Sequence, residues 1–284
     1  MEELRDRVAV VTGGASGIGL GMVQAFAAEG MKVVLADIES EPLHDAVSLV
    51  SDSGTEAIGV VCDVADPAAV ERLRDEALSR FGAVHILCNN AGVGGASDAS
   101  PIWQRSLEEW NWVMGVNLMG VIHGIRSFVP AIIEQGQGGH IVNTASMAGL
   151  ISGGGIYGVT KHSVVNLSET LFQQLAMRGA DLGVSVLCPG WVRTRILESE
   201  RNRAEVPRET PAEAAPEVAA IREMVEGFVA GGKDPLDVGR LVVSSIRERR
   251  FYVLTHPHWK NMIEQRMRNI LEERDPTGVM PPAQ

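Results

Sequence analysis

Two side chains able to transfer a proton lie one helical turn apart in this sequence. Tyr157 is followed four residues later by Lys161 within a helical pattern at 157–178, so both side chains share a face. A phenol with an ordinary pKa near ~10 is a poor base at neutral pH, but an adjacent ammonium favours the phenolate and lowers that pKa. The pair therefore predicts an acid/base group carried on a helix.

A glycine-rich turn near the start of the chain has the form of an anion-binding site. The turn, residues 12–19, lies between a strand pattern and a helical pattern. Glycine permits positive φ and close approach of the backbone to a pyrophosphate, and a helix N-terminus offers free N–H groups to the anion. This position predicts a dinucleotide site formed by Gly13, Ser16, Gly17, Ile18 and Gly19.

An acidic residue at the end of the second strand pattern bears on which dinucleotide is bound. Asp37, followed by Ile38, can accept hydrogen bonds from the hydroxyls of an adenosine ribose and would repel a 2′-phosphate. No arginine or lysine lies in the turn before Gly17 to neutralise such a phosphate. NAD is therefore predicted over NADP.

Short apolar runs alternate with longer helical patterns along most of the chain. This alternation predicts an α/β, doubly wound Rossmann fold, with a seven-stranded parallel sheet covered by helices on both faces, in a single domain over 1–284. Strands are predicted at 7–12, 32–36, 57–62, 84–89, 140–144, 184–188 and 251–254. Helices are predicted at 17–29, 41–52, 67–80, 108–133, 157–178 and 237–248.

Two regions interrupt the alternation. Residues 195–236 form a charged insertion with a helical centre at 216–230, and a long excursion of this kind is often a lid over a site. Residues 257–284 contain an amphipathic helical stretch at 259–273 and a Pro-rich tail. We interpret the second region as a docked helix that covers the core or contacts another subunit.

Composition narrows the class of protein. The 284 residues are 45% hydrophobic with a net charge of −11, which disfavours nucleic acid and an anionic membrane as partners. No signal-peptide pattern and no apolar run of about 18 residues is present, and three cysteines in apolar runs indicate a reducing compartment, so a cytoplasmic protein is predicted. No metal site is predicted, because the spacing of metal ligands is missing around His123, His140, His162, His256 and His258.

Seven motifs in order carry a resemblance to a known family. They are Thr12-Gly13-x3-Gly17-x-Gly19, Asp63-Val64, Asn89-Asn90-Ala91-Gly92, Asn117, Ser146, Tyr157-x3-Lys161 and Pro189-Gly190-x-Val192-x-Thr194. Over roughly residues 5–255 the chain resembles the short-chain dehydrogenase/reductase family. The resemblance implies an NAD(H)-dependent oxidoreductase that moves a hydride between nicotinamide and an alcohol or ketone.

The resemblance also implies a role for each motif. Ser146 is expected to hold the substrate oxygen near Tyr157, Lys161 to bind the nicotinamide ribose, and Asn117 to fix a water that links Lys161 to solvent. The remaining motifs are expected to contact the cofactor at its adenine (Asp63, Val64), its ribose side (Asn90, Ala91, Gly92) and its carboxamide (Pro189, Gly190, Val192, Thr194).

One spacing departs from the family pattern. The interval from Ser146 to Tyr157 is two residues shorter than is common in the family, which we interpret as a shortening of the glycine loop at 153–155. Thr144 lies at the common spacing and is the alternative to Ser146.

The expected substrate pocket is mainly apolar. Its predicted walls are Gly94, Gly95, Met147, 153–155, Trp191 and the insertion, with Met147 and Trp191 as substrate contacts. These residues favour an apolar secondary alcohol or ketone, alicyclic or steroid-like, unless an arginine swings in from the insertion: Arg193, Arg195 or Arg201. Core or subunit contacts are expected for Trp103, Trp110 and Trp112.

Family members usually assemble through the helices that carry Asn117 and Tyr157, so a homotetramer, or a homodimer, is expected. Two other functions stay open at this point. One is an NADPH-dependent reductase of acyl-carrier ketones, which Asp37 disfavours. The other is a catalytically silent NAD-binding sensor, which the complete set of Asn117, Ser146, Tyr157 and Lys161 disfavours.

Overall fold

The seven apolar runs form one parallel sheet. The computed structural model describes residues 1, 3–95, 101–203, 216–278 and 282. In it the strands are Val8–Thr12 (β1), Lys32–Asp37 (β2), Ala57–Val61 (β3), Ile86–Asn89 (β4), Gly139–Thr144 (β5), Leu182–Cys188 (β6) and Tyr252–Leu254 (β7). Their order is β3-β2-β1-β4-β5-β6-β7, and Val10 of β1 lies between Val34 and Leu87.

Helices cover both faces of this sheet. They are Gly17–Ala28 (α1), Ser40–Ser51 (α2), Pro67–Phe81 (α3), Leu107–Met114 (α4), Gly120–Glu134 (α5), Gly155–Met177 (α6), Pro216–Ala230 (α7), Pro235–Arg247 (α8) and Lys260–Leu271 (α9). Met22 and Val242 pack in the core on one face, and Leu73, Phe128 and Leu171 pack in the core on the other. Because both faces are covered, the strands are apolar at consecutive positions.

The strand order confirms the predicted doubly wound fold. The chain runs outward from β1 to β3 in one direction and from β4 to β7 in the other, so the order reverses between β1 and β4. In open parallel sheets, ligands bind outside the carboxyl ends of the strands at this reversal. The loops that follow Thr12 and Asn89 meet at that place.

The long central helix differs from the prediction. Residues 108–133 were expected to form one regular helix, but a π-helical turn, Gly115–Met119, separates α4 from α5. An extra residue per turn rotates the side chains that follow, and such turns occur frequently at functional sites. Asn117 lies within this turn and is fully buried.

By length and composition, the continuous helical run Leu107–Glu134 could also cross a bilayer. The core helix of a soluble protein passes the same test, and 44% of the most apolar 18-residue window of this run is buried. Val121 and Phe128 pack inside the protein. The run is therefore weak support for a membrane span.

The predicted insertion and tail hold further helices. Residues 195–236 contain a 3₁₀ helix, Ile196–Asn202, and α7, which matches the predicted helical centre, whereas 204–215 lie outside the described residues. In the C-terminal region a 3₁₀ turn, Pro257–Trp259, leads into α9. Trp259 is buried in the core beside β6.

Candidate active site

A cavity of about 950 Å³ opens at the carboxyl ends of the strands and collects nearly all the predicted site residues. Two of the predicted catalytic and cofactor-binding residues, Gly19 and Asn117, do not line it. The predicted residues that line it are Gly13, Ser16, Gly17, Ile18, Asp37, Ile38, Asp63, Val64, Asn90, Ala91, Gly92, Ser146, Met147, Tyr157, Lys161, Pro189, Gly190, Trp191, Val192 and Thr194.

The glycine-rich turn leaves the start of α1 open to the cavity. Gly13 and Gly17 both have positive φ, 64° and 53°. Ser16 occupies the N-cap position without a capping hydrogen bond, and the first turn of α1 holds no acidic residue. The free N–H groups of the helix and the hydroxyl of Ser16 therefore suit a phosphate.

Gly19 packs closely against the glycine-rich turn. A Cβ at this position would lie 1.9 Å from the carbonyl oxygen of Gly13. The missing side chain lets the turn fold closely against α1. Gly19 does not line the cavity, and its contact with the cofactor stays a prediction.

Asp37 is fixed at one end of the cavity. Its Oδ2 accepts a hydrogen bond from the backbone N–H of Ala15 at 3.0 Å, and its Oδ1 accepts one from Glu39 at 3.1 Å. Burial raises the pKa of Asp37, and these two hydrogen bonds oppose the rise. The carboxylate is therefore oriented by the turn after β1 and by the loop after β2.

Thr12 joins the loops after β1 and β4. Its hydroxyl accepts hydrogen bonds from the backbone N–H groups of Asn90, at 2.9 Å, and Ala91, at 3.1 Å. The side-chain amide of Asn90 donates to the carbonyl of Thr12 at 3.0 Å. These contacts fix the floor of the cavity between the two strands at which the sheet order reverses.

Tyr157, Lys161 and Ser146 come together in the other half of the cavity. Ser146 and Tyr157 both line this part, and Ser146 Oγ donates to the carbonyl of Pro189 at 3.4 Å. Lys161 Nζ lies 5.6 Å from the centroid of the Tyr157 ring. Lys161 Nζ donates to the carbonyl of Thr144 at 2.9 Å, so β5 holds the ammonium in place. A phenol, a hydroxyl and an ammonium therefore share one buried site.

Burial dominates the acidity of this group. It raises the pKa of Tyr157, which the Ser146 hydroxyl opposes, and it lowers the pKa of Lys161 to about 8. The sequence predicts that Lys161, together with the positive charge of the oxidised nicotinamide, lowers the pKa of Tyr157. Protein groups alone leave this pKa raised, because desolvation outweighs the effect of the Ser146 hydroxyl.

Ser146 and Thr144, the two candidates for the serine position, have different contacts. Ser146 begins a 3₁₀ turn, Met147–Gly149, and its Oγ accepts from the N–H of Ala148 at 3.1 Å. The hydroxyl of Thr144 donates to Asn90 Oδ1 at 3.1 Å. Thr144 thus ties β5 to the loop after β4, whereas Ser146 is the hydroxyl whose influence lowers the pKa of Tyr157.

Asn117 supports the site from behind. Its side chain accepts from the N–H of Val93 at 2.8 Å and donates to the Val93 carbonyl at 2.9 Å and to Thr160 Oγ1 at 3.2 Å. A Cβ on Gly92 would lie 3.3 Å from both Asn117 Oδ1 and Lys161 Nζ. Asn117 therefore holds the loop after β4 next to Lys161.

Aromatic side chains surround the rim beyond Tyr157. Trp191 packs against Phe228 of α7 and against Trp259, with centroids 5.5 and 6.0 Å apart, and its Nε1 donates to the carbonyl of Pro282. Met147, with Gly153 and Gly154 of the glycine loop, also lines the cavity. Gly95 and Gly155, which the sequence predicts as walls of the pocket, do not line the cavity.

The three tryptophans at and just before the start of the central helix also differ from one another. Trp112 lines the cavity and lies under the guanidinium of Arg203, which is 5.5 Å from its ring centroid. Trp110 packs beside the small core cluster of Val93, Val113 and Ile156, whereas Trp103 is largely exposed.

Comparison with known proteins gives the family. The sequence model described as short chain dehydrogenase matches residues 7–205. A solved short-chain dehydrogenase/reductase from Burkholderia phymatum in complex with NAD is similar with a TM-score of 0.92 and 42% identity, covering 99% of this chain and 100% of that one. This chain belongs to the short-chain dehydrogenase/reductase family.

Two relatives within this family are named for oxidation at a hydroxyl-bearing compound. The 1-deoxy-11-beta-hydroxypentalenate dehydrogenase of Streptomyces exfoliatus is 39% identical over 197 residues, 69% of this chain and 70% of that protein. The 3beta-hydroxysteroid dehydrogenase 2 of Eggerthella lenta is 34% identical over 253 residues, 83% of this chain and 95% of that protein. Membership of the family makes this protein an oxidoreductase that acts on CH–OH groups of small molecules.

Sequence reasoning missed several residues of this short-chain dehydrogenase/reductase site. Ser199 of the insertion and Glu39 after β2 line the cavity, and so does Arg201, which the sequence named only as a residue that could swing in. The sequence placed the insertion near the site but held no signal for its contacts, because Glu39 and Arg201 are 162 residues apart. Thr160, which bonds Asn117, stands inside the Tyr157-x3-Lys161 motif at a position that the motif leaves open.

Proposed function

We propose that this protein is an NAD(H)-dependent oxidoreductase that interconverts a secondary alcohol and its ketone through Tyr157. The observation that carries the proposal is the arrangement of Ser146, Tyr157 and Lys161 in the same cavity as Asp37 and the open start of α1. An acid/base group and a dinucleotide cradle thus share one cleft. The likeness to an NAD complex supports the same conclusion.

The residues of the cleft fit NAD. The turn at Gly13 and Gly17 suits the pyrophosphate, and Asp37 suits the hydroxyls of the adenosine ribose. Glu39, which follows Asp37 closely, is paired with Arg201, so Asp37 is the carboxylate that would repel a 2′-phosphate. When bound, NAD would supply the hydride acceptor for alcohol oxidation and the positive charge that favours the phenolate of Tyr157.

Proton transfer is assigned to Tyr157 with Ser146 and Lys161 as its partners. In alcohol oxidation the phenolate of Tyr157 accepts the proton of the substrate hydroxyl while the substrate carbon loses a hydride. In ketone reduction the phenol donates that proton to the developing alkoxide, which Ser146 also stabilises by hydrogen bonding. Lys161 keeps donors available for ribose hydroxyls beyond its bond to Thr144.

The walls of the cavity support an apolar substrate. Met147, Trp191 and Ile151 line its inner part together with two glycines, so a bulky carbon skeleton has room beside Tyr157. Three arginines named by the sequence are occupied by carboxylates: Arg193 by Asp234, Arg195 by Glu198 and Arg201 by Glu39. The relatives named for a hydroxypentalenate and a hydroxysteroid are compatible with such a substrate.

Exposed apolar side chains support an oligomer, and the cysteines support a cytoplasmic location. Large apolar side chains are exposed on the central helix run and on α6, and a homotetramer or homodimer would cover them: Met119, Ile133, Val159 and Phe172. The three cysteines are free and buried, which suits the cytoplasm that the sequence predicts.

A panel of secondary alcohols with NAD, followed by NADH absorbance, tests the proposed reaction. We expect turnover of bulky apolar alcohols, and turnover with NAD well above that with NADP. Oxidation should accelerate as pH rises, because it needs the phenolate of a tyrosine whose pKa burial raises, and ketone reduction should show the reverse trend. Binding of NADH with no turnover across the panel would instead point to a silent sensor, and a preference for NADPH to an acyl-carrier reductase.

A further inference from the structure

One ion pair joins the insertion to the main body across the mouth of the cavity. Arg201 Nε lies 3.0 Å from Glu39 Oε1, and Arg201 Nη2 lies 2.7 Å from Glu39 Oε2, so the contact is bidentate. The side chains are only 25% and 19% exposed. Bidentate, partly buried pairs of arginine and carboxylate are stronger and more specific than exposed pairs.

Both partners are held in place by their own segments. Arg201 Nη1 donates to the carbonyls of Arg195, at 3.3 Å, and Glu198, at 3.0 Å, which belong to the same stretch of chain. Arg201 is the main reason that the pKa of Glu39 is lowered. The guanidinium is thus oriented toward Glu39 before the two segments meet.

The 3₁₀ helix Ile196–Asn202 is anchored on the opposite rim as well. Ser199 Oγ accepts a hydrogen bond from the N–H of Gly94 at 2.9 Å, and Ser199 is 4% exposed. Gly94 follows β4 and Glu39 follows β2, and these strands flank β1 on either side. The helix therefore passes over the glycine-rich turn that follows β1, at the cavity where the dinucleotide is proposed to bind.

We propose that Glu39 and Arg201 form a clasp that closes the segment Ile196–Asn202 over the bound dinucleotide and limits its release. The clasp rests on the proposed binding of NAD in this cleft. Since Glu39 donates its backbone N–H to Asp37, the clasp is fastened directly beside the carboxylate assigned to the adenosine ribose. Opening of the ion pair then precedes departure of the cofactor.

The rate of NADH release tests the clasp directly. NADH fluorescence is followed in a stopped-flow instrument while excess NAD displaces it from the full-length protein. Glu39→Gln and Arg201→Gln should each accelerate release by at least about tenfold, equivalent to about 1.4 kcal/mol. Arg222→Ala is the matched control, because its ion pair with Glu226 lies within α7, and its release rate should equal that of the unmodified protein.

Two double variants separate a clasp from general damage. If the two residues act as one contact, Glu39→Gln combined with Arg201→Gln should release NADH no faster than either single variant. Exchange of the charges, Glu39→Arg with Arg201→Glu, should slow release again relative to either single change of that exchange. Additive single effects with no recovery in the exchanged pair would overturn the clasp.

Failure of the clasp is distinguishable from failure of the proposed function. Unchanged release rates in variants that bind NADH tightly would overturn the clasp and leave the cofactor assignment intact. Inability of the unmodified protein to bind NADH would overturn both.

Discussion

The carboxyl edge of the sheet and the insertion at 195–236 face the same cavity but are built differently. At the sheet edge, Lys161 and Asn117 are buried, and each is held by hydrogen bonds of 2.8–3.2 Å to neighbouring segments. In the insertion, the pairs Arg195–Glu198 and Arg222–Glu226 are half exposed and local in sequence. Exposed pairs of this kind add little stability.

The sheet edge and the insertion therefore have different tasks within one site. A proton-transfer group needs fixed geometry and a desolvated surrounding, which the sheet edge supplies through burial of Tyr157 and Lys161. Entry and release of ligands need a segment that opens at modest cost, which the insertion supplies through a few polar contacts. Substitutions at the sheet edge should therefore affect chemistry or folding, and those in the insertion should affect access.

The largest effect is expected at the phenol itself. Tyr157→Phe keeps the ring and its packing but removes the group that exchanges the proton, so turnover should fall by about 10²- to 10⁴-fold. Titration of NADH fluorescence should show cofactor binding within a few-fold of that of the unmodified protein. Near-normal turnover would remove Tyr157 from its assigned role.

Substitution of Gly19 at the sheet edge should also have a large effect, because it disturbs packing and lowers the stability of the protein. Gly19→Ala places a Cβ 1.9 Å from the Gly13 carbonyl, and neither backbone segment can move without disturbing the turn or α1. We expect a loss of about 1–3 kcal/mol or more in the free energy of unfolding, measured by denaturant titration. Unaltered stability would mean that the turn does not pack on α1 as described.

The sheet edge is also the part that the sequence predicts best. Strand bounds agree within two residues, because β-branched runs bounded by turns are local signals. Asp37, Tyr157 and Lys161 follow from motif spacing, whereas Ser146 was preferred to Thr144 against the common spacing. The π turn around Asn117 was not predicted, because one extra residue in a turn hardly changes the pattern of apolar residues. The polarity of the insertion was visible, but its partner Glu39 depends on tertiary contact alone.

Substitution of Asp37, at the adenosine end of the same edge, is expected to change the preference for NAD over NADP by about ten- to a hundredfold. Asp37→Asn removes the charge but keeps an acceptor for Ala15 or Glu39, and Asp37→Ala removes both. The ratio of kcat/KM for NAD to that for NADP should fall in both variants, because repulsion of the 2′-phosphate is relieved. Thermal midpoints serve as the control, since Asp37→Ala leaves two N–H groups without this acceptor. An unchanged ratio in both would place the preference elsewhere in the cleft.

The smallest effect is expected for a glycine in the insertion, which makes it the counterpart of Gly19. Gly227 lies in α7, and a Cβ built there meets no atom within 4 Å. Gly227→Ala should therefore leave the protein unchanged or stabilise the helix by up to about 1 kcal/mol, through the lower conformational entropy of alanine in the unfolded chain. Parallel denaturant titrations of Gly19→Ala and Gly227→Ala measure the contrast directly. Equal losses at the two positions would show that the insertion packs as tightly as the sheet edge, and the division of tasks between them would have to be abandoned.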